Sequence, residues 1–180
     1  DWSSDVCSSD LPFEVVGIDT GAETGELHFK APTVSSTTDT SFYIYYGNSD
    51  AIAYAATSTY GSHNVWTNGY QFVSHDGGKT DSTANESTSA TFGGVVPGGA
   101  VGQVGVASDF DGSGDWFSPG NSFLFNSVND LTISMWIEPD TVASAKVFAS
   151  KYNGGGDRGW LLVFGAGGGV SLDGRAGVGS

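Results

Sequence analysis

The sequence predicts an all-β protein built from antiparallel strands in a sandwich, and three observations carry that expectation. Apolar runs are short, rich in β-branched and aromatic residues, and bounded by Gly, Asn, Asp or Ser. Glycine is frequent, at 28 of 180 residues, as turns between many short strands require. Alternation at period two is clear in Val104 to Phe117, VGVASDFDGSGDWF. There Val104, Val106, Ser108 and Phe110 fall on one face, and Gly105, Ala107, Asp109 and Asp111 on the other. Gly112-Ser-Gly114 reads as a turn, and Trp116-Phe117 restarts a strand. The expectation is a half-buried hairpin whose tip gathers Asp109, Asp111 and Asp115.

Charge narrows the partner classes. The chain carries 20 acidic and 6 basic residues, a net charge of −14. Nucleic acid is excluded as a partner, because neutralising phosphates needs a basic face. An acidic surface suits solubility and divalent cations. No apolar run approaches membrane-spanning length, so no membrane insertion is expected.

Residues 1–11, DWSSDVCSSDL, resemble the translation of a sequencing adapter joined in frame to a gene fragment. That resemblance implies a leader without function, and places Cys7, the single cysteine, outside the natural protein. Without Asp1, Asp5 and Asp10 the negative charge falls by three. It also implies that the natural start lies upstream.

From Pro12 onward, strands are expected over Phe13 to Ile18, Glu26 to Lys30 and Ser41 to Tyr46. The first two are parted by Asp-Thr-Gly-Ala-Glu-Thr-Gly, a polar turn. In SFYIYY both faces are apolar or aromatic, which predicts a strand buried on both sides. Ser49 to Ala56 suits a short helix with Ser49 or Asp50 as N-cap, and residues 57–64 read as a linker. The run from Pro12 through Tyr45-Tyr-Gly-Asn48 to about residue 52 resembles the end of a short β domain of unknown function from prokaryotic surface proteins. Residues 12–56 are therefore expected to be the C-terminal part of such a domain.

Further strands are expected over Gly69 to Val73, Leu131 to Ile137, Lys146 to Lys151 and Trp160 to Phe164, with a polar loop over Asp76 to Thr91. Gly165 to Ser180 is glycine-rich. Three stretches, DSTANESTSAT (81–91), VGQVGVASDFDGSGDWF (101–117) and LTISMWIEP (131–139), resemble a laminin-G-like domain. VFASKYNGGGDRGWLLVF (147–164) fits the next two strands of that family. The resemblance implies a concanavalin A-like jelly roll over residues 65–180 that ends several strands short. One departure is Asn85-Glu-Ser-Thr, where the family has a Gly-Asn-His-Gly type of turn.

Calcium is the expected ion. Asp109-x-Asp111-x-Ser113-Gly114-Asp115 spaces oxygen ligands ahead of a glycine, as cation loops do. The EF-hand pattern fails, since Gly120 stands where the last glutamate belongs. A sandwich-type site would combine Asp81 or Asn85 with Asp109 or Asp111. The same residue types also serve turns that hydrogen-bond their own backbone.

Carbohydrate is the expected organic ligand, with an extracellular protein as the other partner class. Sugars stack on exposed rings and bond to amides and carboxylates. Trp66, Tyr70, Trp116, Tyr152 and Trp160 are the available rings, with Asn153 beside Tyr152. Trp136, opposite the aliphatic face of LTISMWI, is expected to be packed.

Enzyme motifs fail on inspection. Glu138-Pro-Asp140-Thr-Val-Ala143 lacks the last carboxylate of the glucanase strand motif and contains a proline. Gly-x-Ser-x-Gly, His-Glu-x-x-His and paired cysteines are missing from the sequence. Gly78-Lys79-Thr80 has Val73 where a phosphate loop needs glycine. His28, His63 and His75 are scattered. Asn85-Glu-Ser87 is a formal glycosylation sequon. The expectation is a non-catalytic, extracellular or surface-anchored recognition module, with a structural spacer or an accessory module of a glycan-degrading enzyme as the alternatives.

Overall fold

The computed structural model describes residues 10–87, 91–119, 132–141, 144–153 and 158–175. The expected leader, including Cys7, lies outside the described residues but for its last two positions. The chain is all-β. It forms two compact units, Asp1–Ile133 and Ser134–Ser180.

In the first unit, β1 (Phe13–Asp19) pairs antiparallel with β2 (Thr24–Phe29). The Asp19 carboxylate organises the turn between them, accepting the backbone N–H groups of Gly21 (2.8 Å) and Ala22 (2.9 Å). The register shifts between Val15 and Gly17, so an extra residue bulges on β1. Two further antiparallel pairs follow: β4 (Val96–Val101) with β5 (Val106–Asp109), and β3 (Thr91–Gly93) with β6 (Trp116–Ser118).

The hairpin expected over 104–117 is thereby corrected. Its two strands form, but each pairs with an earlier strand rather than with the other. Period-two alternation reports which face a residue occupies and is silent about the neighbouring strand. Strands β3 and β4 were not anticipated, because Pro97 and two glycines interrupt the alternation of VPGGAV.

Four other expectations in this unit change, the first being that Gly69 to Val73 is not a strand. Ser41 to Tyr46 is not a strand, and its side chains are exposed rather than buried on both sides. Ser49 to Ala56 contains turns and no helix. Residues 57–64, expected as a linker, hold turns and the 3-10 helix Ser62–Asn64. They are bonded in place: Phe13 N–H donates to Tyr60 O (3.1 Å), and Asn64 Nδ2 to Ser58 O (2.8 Å).

In the second unit, β7 (Lys146–Asn153), β8 (Arg158–Phe164) and β9 (Val170–Arg175) form one antiparallel sheet in chain order. A turn over residues 165–169 links β8 to β9, with Gly165 N–H donating to Gly169 O at 2.7 Å. Strand β9 lay hidden in the glycine-rich tail, although Val170 and Leu172 alternate with Ser171 and Asp173. The expected strand over Leu131 to Ile137 is neither helix nor strand from Thr132 on, and Leu131 lies outside the described residues. Without a ladder to hold it, Trp136 is 75% exposed, which corrects its placement in the core.

Candidate functional site

The most connected group of polar and aromatic side chains rests on the β1–β2 hairpin. Antiparallel register sets Glu14 of β1 directly opposite His28 of β2, on one face of the ribbon. Glu26, two residues before His28, shares that face and bonds it, Oε1 to Nε2 at 3.1 Å.

The chain from Val65 to Thr83 covers this face. Trp66 Nε1 donates to Glu14 Oε2 at 2.6 Å, and Ser82 Oγ donates to Glu14 Oε1 at 2.5 Å. Both carboxylate oxygens are thus engaged by neutral donors in a side chain only 15% exposed. The His75 ring stacks on His28, with centroids 4.7 Å apart and planes 11° apart. Trp66 tilts against both imidazoles, at 5.3 Å from His28 and 5.5 Å from His75. Tyr70 meets the indole edge-on at 5.2 Å and is 50% exposed.

A third segment closes the group. Gly105 N–H donates to Glu26 Oε2 (3.3 Å), and Val106 N–H donates to His75 O (2.9 Å). Gly105 has φ +58°, and a Cβ there would overlap His75 O, so the position needs glycine on both counts.

Burial holds the His75 imidazole below its ordinary titration range. Glu14 opposes that shift, His28 adds to it, and Glu26 and Asp76 oppose it more weakly. His75 Nε2 is shielded from water with no hydrogen-bond partner, 3.7 Å from Glu14 Oε2. At Asp76, burial pushes the carboxyl up, but bonds from Thr80 N–H and Oγ1, Ser74 Oγ and Lys79 N–H together hold it below its ordinary value. Asp76 therefore shapes its own loop.

The expected site residues separate into groups. Trp66 and Tyr70 come together, Trp66 as a half-buried anchor and Tyr70 as the open ring. Trp116 lies elsewhere, on β6, 48% exposed, its indole packed so closely over Gly93 that a Cβ there would overlap it. Tyr152 and Asn153 end β7, with backbone partners Gly159 and Arg158, and their side chains lie outside the described residues.

Asp81, Asp109 and Asp111 do not form a joint cluster. Among the described residues no group of three or more His, Cys, Asp or Glu is placed to hold a metal ion. Asp81 Oδ1 accepts the N–H groups of Val73 (3.2 Å) and Thr83 (3.0 Å). Its Oδ2 accepts Thr83 Oγ1 and Ser87 N–H, both at 3.0 Å. Asn85 Nδ2 donates to Gln71 O at 2.9 Å, fixing the 81–87 loop beside Tyr70. At the acidic turn, Asp111 Oδ1 accepts Ser113 N–H and Asp115 Oδ2 accepts Asp111 N–H, both at 2.7 Å. Asp109 is exposed.

Sequence reasoning missed Glu14, His28 and His75. They reach one place from two strands and a loop, and no local spacing signals that. No family model, curated protein or solved structure matches the chain. What the fold defines is the class, an all-β protein of small antiparallel sheets.

Proposed function

We propose that this chain is a non-catalytic recognition module that binds carbohydrate, with Tyr70 as the ring on which a sugar stacks. The observation that carries the reading is a half-exposed tyrosine set edge-on against a tryptophan that Glu14 holds by its Nε1. A ring fixed in advance loses little freedom when a ligand covers it. Asn85, whose Nδ2 donates to the backbone carbonyl of Gln71, the residue after Tyr70, is the amide we assign to sugar hydroxyls. Trp116, open on β6, is a second platform. The antiparallel pairs β3–β6 and β4–β5 are compatible with a laminin-G-like, jelly-roll sandwich, and we carry that finer architecture as part of the proposal. An extracellular setting and stabilisation by calcium belong to it as well.

A glycan array with and without calcium tests the reading. Binding to a polysaccharide, lost in Tyr70→Ala and weakened in Trp116→Ala, is the expected result. Tyr70 is half in solvent, so its removal leaves the Glu14–Trp66 bond in place. No binding under either condition supports a structural spacer instead. Calorimetry with calcium that gives no heat and no rise in melting temperature removes the ion from the proposal.

A further inference from the structure

We infer that residues 41–47 are a self-complementary strand that pairs antiparallel with the same segment of a second copy of this chain. The composition of SFYIYY is that of a central strand, with β-branched and aromatic side chains and no Pro, Gly or charge. Yet Tyr43 is 79% exposed, Ile44 68%, Tyr45 81% and Tyr46 94%. The segment belongs to no strand, and its backbone groups make no hydrogen bond among the described residues. Such a stretch carries both halves of a β ladder without a partner.

The order of the side chains selects the occupant. FYIYY reads almost the same in both directions about Ile44. In an antiparallel pair related by a two-fold axis at Ile44, Ile44 faces Ile44, Tyr43 faces Tyr45, and Phe42 faces Tyr46. Every facing pair is then aromatic or aliphatic, the combinations that stabilise neighbouring strands. An isologous interface needs that self-complementarity, because the same patch serves both subunits.

Charge points the same way. In a chain of net charge −14, no charged residue lies between Asp39 and Asp50. In this register Asp39 faces Ser49 and Asp50 faces Thr38, so no two carboxylates stand opposite. Phe29 of β2 holds the start of the segment through the Phe42 ring, with centroids 4.9 Å apart, and leaves Tyr43 to Tyr46 open.

Sedimentation velocity of the full chain, from low to high micromolar, tests this. The expected result is a reversible monomer–dimer equilibrium that Ile44→Lys weakens by roughly tenfold or more, since two ammonium groups then face each other. Ile44 is largely in solvent, so the substitution spares the folded monomer, and an unchanged circular dichroism spectrum checks this. In a Cys7→Ser background, Ile44→Cys should form an intermolecular disulfide on mild oxidation, whereas Val34→Cys, exposed but outside the pairing segment, should not. A wild-type chain that stays monomeric, a dimer indifferent to Ile44→Lys, or open-ended growth into larger species would each overturn the inference.

Discussion

At His75, burial and charge pull titration in opposite directions. Burial is the larger influence and lowers the pKa, while the nearest carboxylate, Glu14, works against it. The folded protein therefore favours the neutral ring. That contribution to stability is whole above the ordinary imidazole value of 6.5 and is lost as pH falls from there through the folded value. Melting temperatures followed from neutral to mildly acidic pH should decline below that point. His75→Gln, which cannot take up the proton, should flatten the decline, and an unchanged slope would show that other groups set it. Tyr70 and Trp66 could be picked out as ring candidates from sequence because aromatic residues in a polar stretch stand out. Glu14, His28 and His75 could not, since their meeting depends on a strand register and a loop path that only the folded chain defines.

Among the elements, β1 and β2 were readable to within a residue or two at most ends. Alternation and a polar glycine turn coincide there, and the pairing partner is the next strand along. Strands β5 and β6 were readable as strands but not as partners, for the turn chemistry of Gly112-Ser-Gly114 suits a hairpin whether or not one forms. Ser41 to Tyr46 shows the converse: strand propensity without a partner gives no strand. The turn between β4 and β5 is the element on which the site leans most. Gly102 N–H donates to Gly105 O across it at 3.2 Å, and Gly105 and Val106 then reach Glu26 and His75. Gly105→Ala should destabilise the protein by more than about 1 kcal/mol, from the positive φ and the overlap with His75 O. Urea denaturation measures this, and tryptophan emission should shift as the contact between the His75 loop and Trp66 loosens. A variant as stable as the parent would show that the turn does not support the site.

At the scale of the molecule, the described residues show an unusual balance of buried and exposed apolar surface. Among the described residues, Val65 at 8% and Val95 at 6% are the buried hydrophobics. Trp136 (75%), Leu172 (66%), Val170 (58%) and Val147 (56%) in the second unit are each more than half exposed. Buried apolar area is the main favourable contribution to folding, so the described residues, which cover so little of it, contribute correspondingly little. We expect strong binding of the dye ANS at neutral pH and a broad thermal transition. A sharp transition with no dye binding would mean that these side chains are covered in solution. The all-β class was legible because composition and alternation report on it over the whole length. The partition of strands among small sheets was not, because partner choice rests on contacts between distant residues.

The open tyrosines carry a consequence of a different kind. Chymotrypsin cuts after aromatic residues in exposed backbone, and Tyr43, Tyr45 and Tyr46 offer it three sites within four residues, outside any strand. A cut there separates the β1–β2 hairpin from everything that follows. In the intact chain that hairpin is tied to the later residues by Phe13 N–H on Tyr60 O, Glu14 on Trp66 and Ser82, and His28 on His75. We expect the nicked chain to run as one species on gel filtration and to part only in denaturant, and fragments that separate without denaturant would show that these contacts do not hold the two pieces together.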